Sequence, residues 1–270
     1  AVSIVDRIDY SNDTAEALAK GPLSAGRRYL AASGNANFGW FGGGHQLPGP
    51  GAQSVVDRLD YSSDTTAASP KGNLPASKQK GSGTGNTTHG YLNGFGDAKT
   101  TVYRIDYDND TTSPIVRGNL TAARYNGAST SAAGDALSVG LKGAASNAGV
   151  NRVPVGTDYG YNFGGYNGSY LSSIQRIDYS NDTATAPQVA SLPNAMNNRG
   201  TVGNTNYAWV QPGSVPAGTN LQRFDYSNDT SGTSGRAASP ESNAGDSTGN
   251  QHFGYFSLKH QETSVYRLEY

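Results

Sequence analysis

The side chains in this sequence whose types and spacing could do chemistry are acids, arginines and tyrosines that recur together. The stretch Val5-Asp6-Arg7-Ile8-Asp9-Tyr10-Ser11-Asn12-Asp13-Thr14 comes back with its tyrosine at Tyr61, Tyr107, Tyr179 and Tyr226, and in shortened form at Tyr270. Three residues ahead of each tyrosine stands an arginine: Arg7, Arg58, Arg104, Arg176, Arg223 and Arg267. Immediately ahead of it stands an acid: Asp9, Asp60, Asp106, Asp178, Asp225 and Glu269. Such a set could bind calcium through its clustered oxygens, bind anions through a ring of arginines, or supply the paired carboxylates of a glycosidase.

Each chemistry competes with a structural use of the same residues. A calcium loop needs an in-phase glycine and a distal bidentate acid, and the repeat has neither. Aspartate and asparagine also bond their own backbone in tight turns, so Asp-Tyr-Ser-Asn-Asp-Thr reads as a turn. The replacement of Asn by Ser63 and of Ser by Asp108 suits that reading. In an extended strand the arginine and the acid two residues on share a face, about 7 Å apart. They are therefore expected to form a repeated structural ion pair, directly or through a shared partner on the next unit; losing one partner would cost about 3 kcal/mol. An anion-binding ring is the alternative.

Other classes fall away on composition. There is no cysteine, which removes disulfides, thiolate chemistry and Cys-based metal sites, and the four histidines (His45, His89, His252, His260) are scattered. No catalytic residue, metal or cofactor is expected, and no Gly-x-Ser-x-Gly elbow occurs. With 20 cationic against 21 anionic residues and a pI near 6.5, nothing points to nucleic acid or an anionic membrane. No apolar run approaches the roughly 20 residues needed to span a bilayer. Seven Asn-x-Ser/Thr sequons (Asn12, Asn86, Asn109, Asn119, Asn167, Asn181, Asn228) are present, four of them products of the repeat itself.

Other positions keep phase with the motif and show what must hold it. Thirteen residues after the tyrosine comes Leu23, Leu74, Leu120 or Leu192, followed in three units by a cation four residues on (Arg27, Lys78, Arg124); the fifth unit has Ser239 at the leucine position. Further along lies an aromatic in a Gly-rich segment: Trp40, Tyr91, Tyr161, Trp209 or Tyr255. In the third unit this aromatic is displaced by an insertion of 24 residues within 125–158, centred on Ser131 to Val155. Apart from that insertion the unit is 44 to 51 residues long, room for four short strands with turns. Val-x-Arg-Ile-Asp-Tyr is apolar on both faces, as a strand between two sheets must be. The aromatics are expected to pack blade on blade, with a sugar-stacking ring as the alternative.

The expectation is an all-β chain, residues 1–270 forming a single domain: a β-propeller of five or six four-stranded blades, or seven if residues are missing. The chain begins and ends on the same strand of the unit. Either the N-terminal strand completes the last blade or the sequence is a fragment of a longer array.

The order of elements resembles the kelch repeat: leucine and cation, an aromatic strand ending in Gly-Gly (Gly42-Gly43-Gly44, Gly164-Gly165), then Val-x-Arg-Ile-Asp-Tyr and a turn. The tryptophan that follows the turn in kelch repeats is replaced by Thr14, Thr65, Thr111, Thr183 and Thr230. The wording of the motif is also similar to repeats in structural and tail-fibre-like proteins of marine bacteriophages. That resemblance implies a virion or extracellular location, with other structural subunits or a host surface glycan as partners. The expected function is a non-catalytic binding or structural module; a secreted lectin-like adhesin and an intracellular kelch-type scaffold are the alternatives. The insertion is the expected source of individuality, dispensable for folding and needed for partner contact.

Overall fold

In the computed structural model, residues 2–96, 99–132, 159–197, 200–211, 220–238, 244–258 and 264–270 are described. They form a five-bladed β-propeller in which each repeat supplies an antiparallel sheet ordered first to fourth strand. Blade 1 consists of Ala31–Gly34, Phe38–Gly42, Val56–Asp60 and Ser69–Pro70. Blade 2 has Ser82–Gly85, His89–Asn93, Val102–Asp106 and Ile115–Val116. Blade 3 has Ala128–Ser131, Tyr159–Phe163, Ser173–Asp178 and Gln188–Ser191. Blade 4 has Thr201–Gly203, Tyr207–Val210, Asn220–Asp225 and Ser234–Ala238. Blade 5 shows three strands among the described residues: Ala244–Gly249, Phe253–Leu258 and Val265–Glu269. The first strands of blades 1 to 5 pack side by side in sequence order and so form the inner wall.

Of the two arrangements left open for the N-terminal strand, completion of the last blade is not the one formed. Asp6–Arg7 pairs with Leu18–Ala19 as a separate two-stranded sheet, the third and fourth strands of a further unit. It adds no strand to blade 5. Instead the unit stands between blades 5 and 1 as the next member of the ring, with Asp13 bonded to Arg267 and Arg7 to Asp64.

Five of the six third strands end where their acid turns back on the backbone. The Oδ1 atoms of Asp60, Asp106 and Asp225 accept the amides of Ser62, Asp108 and Ser227, capping a 3-10 turn, and Asp9 and Asp178 accept those of Ser11 and Ser180. The turn expected from Asp-Tyr-Ser-Asn-Asp-Thr is thus formed. A second recurrent turn joins first to second strand: Asn35, Asn86, Asn204 and Asn250 accept the amides two and three residues on. In blade 3 the insertion takes this turn's place. It leaves the sheet after Ala132, whose amide donates to the Tyr159 carbonyl at 3.0 Å, just as Asn35 donates to Phe38 in blade 1. Most of the insertion lies outside the described residues.

Candidate functional site

The repeated charged and aromatic residues meet between blades, in a latch the sequence reading had only partly located. Arg58 Nη1 and Trp40 Nε1 of blade 1 both donate to Asp110 Oδ2 of blade 2, each at 2.9 Å. Arg104 (2.7 Å) and Tyr91 (3.0 Å) converge in the same way on Asp182. Arg176 (2.6 Å) and Tyr161 (3.2 Å) converge on Asp229, and Arg267 (2.9 Å) and Tyr255 (2.7 Å) on Asp13. Of the two arrangements expected, the direct pairing of arginine and acid along one strand is not seen among the described residues; the arginine does find a partner on the next unit, but the acid does not share it. That acid is spent on the turn cap, and the arginine crosses to the aspartate three residues beyond the next unit's tyrosine. Arg223 lies over the Tyr207 ring at 4.3 Å, and Glu269 sits in register opposite Phe253.

The motif tyrosines complete the latch by stacking. Tyr107 lies 3.9 Å from Trp40, Tyr179 5.0 Å from Tyr91, Tyr226 5.0 Å from Tyr161, Tyr270 4.2 Å from Trp209 and Tyr10 5.1 Å from Tyr255, all with interplanar angles below 20°. Trp40, Tyr91, Tyr161, Trp209 and Tyr255 are all buried, so the core role expected of them is the one they have. Burial, then the Asp13 carboxylate, pushes the Tyr255 hydroxyl up to about 12. The Tyr255 hydroxyl and then the Arg267 guanidinium hold Asp13 below the usual carboxylate range.

Two of the cations that follow the leucines, Arg27 and Arg124, are also structural. Arg27 pairs with Asp57 at 2.5 Å and donates to the Gly43 and Val55 carbonyls. Arg124, fully buried, donates to the Gly164 and Ser173 carbonyls and the Ser173 hydroxyl, and burial lowers its pKa to about 10. Gly43, Gly44, Gly164 and Gly165 adopt left-handed backbone beside these cations, which is why the Gly-Gly doublet stands there.

What the latches leave over is a patch at the inner rim of one face, where the chain enters the first strands. Six residues beyond Leu23, Leu74 and Leu120 stand Tyr29, Lys80 and Asn126, all non-glycine and all at positive φ (61°, 60°, 51°). They are chained together: the Lys80 amide donates to the Tyr29 carbonyl and the Asn126 amide to the Lys80 carbonyl. Lys80 Nζ lies 5.8 Å from the Tyr29 ring and 5.2 Å from Tyr125, and Arg28 lies 4.9 Å from Tyr29. Tyr125 meets Tyr166 edge to face, and Tyr166 meets Tyr170 likewise. Tyr29 is 47% exposed and Tyr170 39%. The turn carrying the insertion opens at the opposite end of the strands. The rim could have been found in sequence by its fixed distance from the leucine, but tyrosine, lysine and asparagine share a backbone conformation rather than a chemical type.

These features define a β-propeller whose blades are fastened by a repeated aromatic and ionic latch. Comparison of the sequence with protein-family models and with curated proteins finds no match. Among the described residues no helix is long and apolar enough to cross a membrane.

Proposed function

We propose that the chain is a non-catalytic binding module of a virion or other extracellular appendage, and that it holds a surface glycan against the rim of Arg28, Tyr29, Lys80, Tyr125, Tyr166 and Tyr170. The observation that carries this reading is the row of non-glycine residues at positive φ. A left-handed conformation costs a side-chain-bearing residue roughly 1 kcal/mol, and glycine would relieve it. Keeping tyrosine and lysine there sacrifices stability to hold a ring and an ammonium at an exposed edge. Exposed tyrosine faces suit the C–H faces of pyranose rings, and Lys80 and Arg28 between them favour sugars bearing carboxylate or sulfate. The repeat's own arginines and aromatics are occupied in latches, which supports the rim over the repeat positions as the binding surface. The virion setting rests on the likeness of the motif to phage repeats.

A glycan array tests the recognition and mass spectrometry of purified particles tests the setting. Tyr29→Gly is expected to abolish array binding while leaving the melting temperature unchanged or higher. Absence of any glycan signal, or retention of it in Tyr29→Gly, overturns the glycan reading. Failure of the protein to copurify with particles overturns the virion setting.

A further inference from the structure

An asparagine followed by glycine carries a latent reaction, because the glycine nitrogen has no neighbouring Cβ to keep it from the asparagine side-chain carbonyl. The sequence has three such pairs, Asn93-Gly94, Asn126-Gly127 and Asn167-Gly168. The fold treats them differently. Asn93 is fully buried at the end of the second strand of blade 2, where its Oδ1 accepts the Ser82 hydroxyl at 3.2 Å. Asn126 is half-buried and held at φ 51° with its amide on the Lys80 carbonyl. Asn167 is exposed.

Asn167 stands at the tip of a short hairpin on the rim. Tyr166 and Tyr170 pair across it in an antiparallel bridge, their rings edge to face at 5.3 Å, with only Asn167, Gly168 and Ser169 between them. The Asn167 amide donates to the Ser169 carbonyl at 3.2 Å, and the Ser169 amide donates to Asn167 Oδ1 at 3.3 Å. The ring closed by that second bond includes the Gly168 nitrogen, so the turn holds nitrogen and side-chain carbonyl in one compact loop. The same donor draws electron density from Cγ and stands where negative charge gathers on Oδ1 when Cγ is attacked. Gly168 has φ 112°, and a Cβ placed on it would meet nothing within 4 Å, so its nitrogen is open to solvent base. Among the described residues the Gly168 amide donates to no acceptor.

We propose that Asn167 is a self-modification site, converted in the folded protein to aspartate and isoaspartate through attack by the Gly168 nitrogen. That nitrogen gives its proton to solvent base and bonds to Asn167 Cγ; the Cγ–Nδ2 bond breaks and ammonia leaves with a proton from water, giving a cyclic imide. Water then opens the imide. Attack at Cγ yields aspartate, and attack at the main-chain carbonyl carbon yields isoaspartate, whose chain runs on through Cγ. Nothing is oxidised or reduced: one ammonia is lost and one water gained. Either product adds a carboxylate between Tyr166 and Tyr170, on a rim whose charged groups are Arg28 and Lys80, and takes the formal net charge from −1 to −2. Isoaspartate also lengthens the main chain by one methylene between two bridged tyrosines. The reaction needs neither sugar nor particle, and its test reads neither.

The test is incubation of the 270-residue chain in mildly alkaline buffer, folded and in urea, followed by ion exchange and peptide mapping with fragmentation that separates aspartate from isoaspartate. In the folded chain a more acidic species is expected to accumulate, with the mass gain of NH2 replaced by OH located at Asn167 and both isomers present. Asn93 and Asn126 are expected to react at least about tenfold more slowly there, and all three pairs are expected to react in urea. Gly168→Ala is expected to slow the reaction at Asn167 at least about tenfold by crowding the attacking nitrogen. The comparison of folded chain with urea remains decisive even where that variant fails to fold. An Asn167 that stays intact in the folded chain while all three pairs react in urea overturns the proposal. So does reaction of Asn93 or Asn126 in the folded chain as fast as Asn167, or a folded Gly168→Ala chain that reacts at the original rate.

Discussion

At the scale of the residue, the repeat carries two acids that look alike in sequence and do different work. The acid before the tyrosine closes a local turn; the aspartate three residues after it receives two donors from the preceding blade on one oxygen. Strand geometry placed the arginine and the first acid on one face, which holds only while the strand continues. It ends at that acid, whose carboxylate folds back onto the amide two residues on. The two acids should therefore differ in cost. Asp110→Ala leaves Trp40 Nε1 and the largely buried Arg58 guanidinium without their acceptor, and is expected to lower unfolding stability by about 3 kcal/mol. Asp60→Ala removes a cap at an exposed turn and is expected to cost about 1 kcal/mol. Urea denaturation of the two variants distinguishes them, and equal losses would contradict the division of labour.

At the scale of the element, close approach between units constrains the glycine that follows the fourth strands of blades 1 and 2. A Cβ on Gly118 would stand 1.7 Å from the Ala184 carbonyl oxygen of blade 3, and one on Gly72 would stand 1.9 Å from that of Thr112 in blade 2. Both obstacles are backbone, so neither can swing aside. Gly118→Ala is expected to cost about 3 kcal/mol or more, read as a lowered denaturation midpoint. The blade's strands and its aromatic core were legible in sequence because they repeat in residue type at fixed spacing. The Asn turn between first and second strands recurs as Gly-Asn-x-x-aromatic or histidine, yet one unit loses it to the insertion, which hid it. The rim escaped because its common property is a dihedral angle. The insertion itself yields a prediction: the strands at its base close at Ala132 and Tyr159 with the same hydrogen bond as the short turn of blade 1. Replacing residues 133–158 by a short Asn-containing turn should shift the melting temperature by only a few degrees, about 1 kcal/mol or less. A collapse of the melting transition would show that the insertion is part of the fold.

At the scale of the whole molecule, the ring is held by tyrosines whose ionisation is suppressed, and this makes its stability depend on alkaline pH. Burial together with Asp13 pushes Tyr255 up to about 12; Tyr107, Tyr179, Tyr226 and Tyr270 are raised further by burial. A tyrosine that ionises near 10 when unfolded and near 12 or above when folded keeps its proton longer in the native state. Between those values the native state binds more protons than the unfolded one, so stability falls as pH rises. The contribution is complete below pH 10 and is lost progressively above it, as the unfolded chain sheds protons that the ring retains. Because one stacked tyrosine sits at nearly every junction, the losses add around the circle instead of loosening a single blade. Stability from urea melts is expected to change little from pH 7 to 9 and to fall steeply between pH 10 and 12. The phenolate absorbance of the buried tyrosines should then appear in the same cooperative step as the loss of β-structure by circular dichroism. Equal stability at pH 8 and pH 11, or phenolate absorbance developing fully while the β-signal persists, would show that the tyrosines ionise in place and that the ring does not depend on their protons. On the acid side the sign reverses. Asp13 and Asp64 titrate below the unfolded value of 3.8, so their contribution is present above that value and is lost below it, as pH falls through the lowered folded-state values. The ring should therefore be bounded on one side by the aspartates that receive the latch and on the other by the tyrosines that close it.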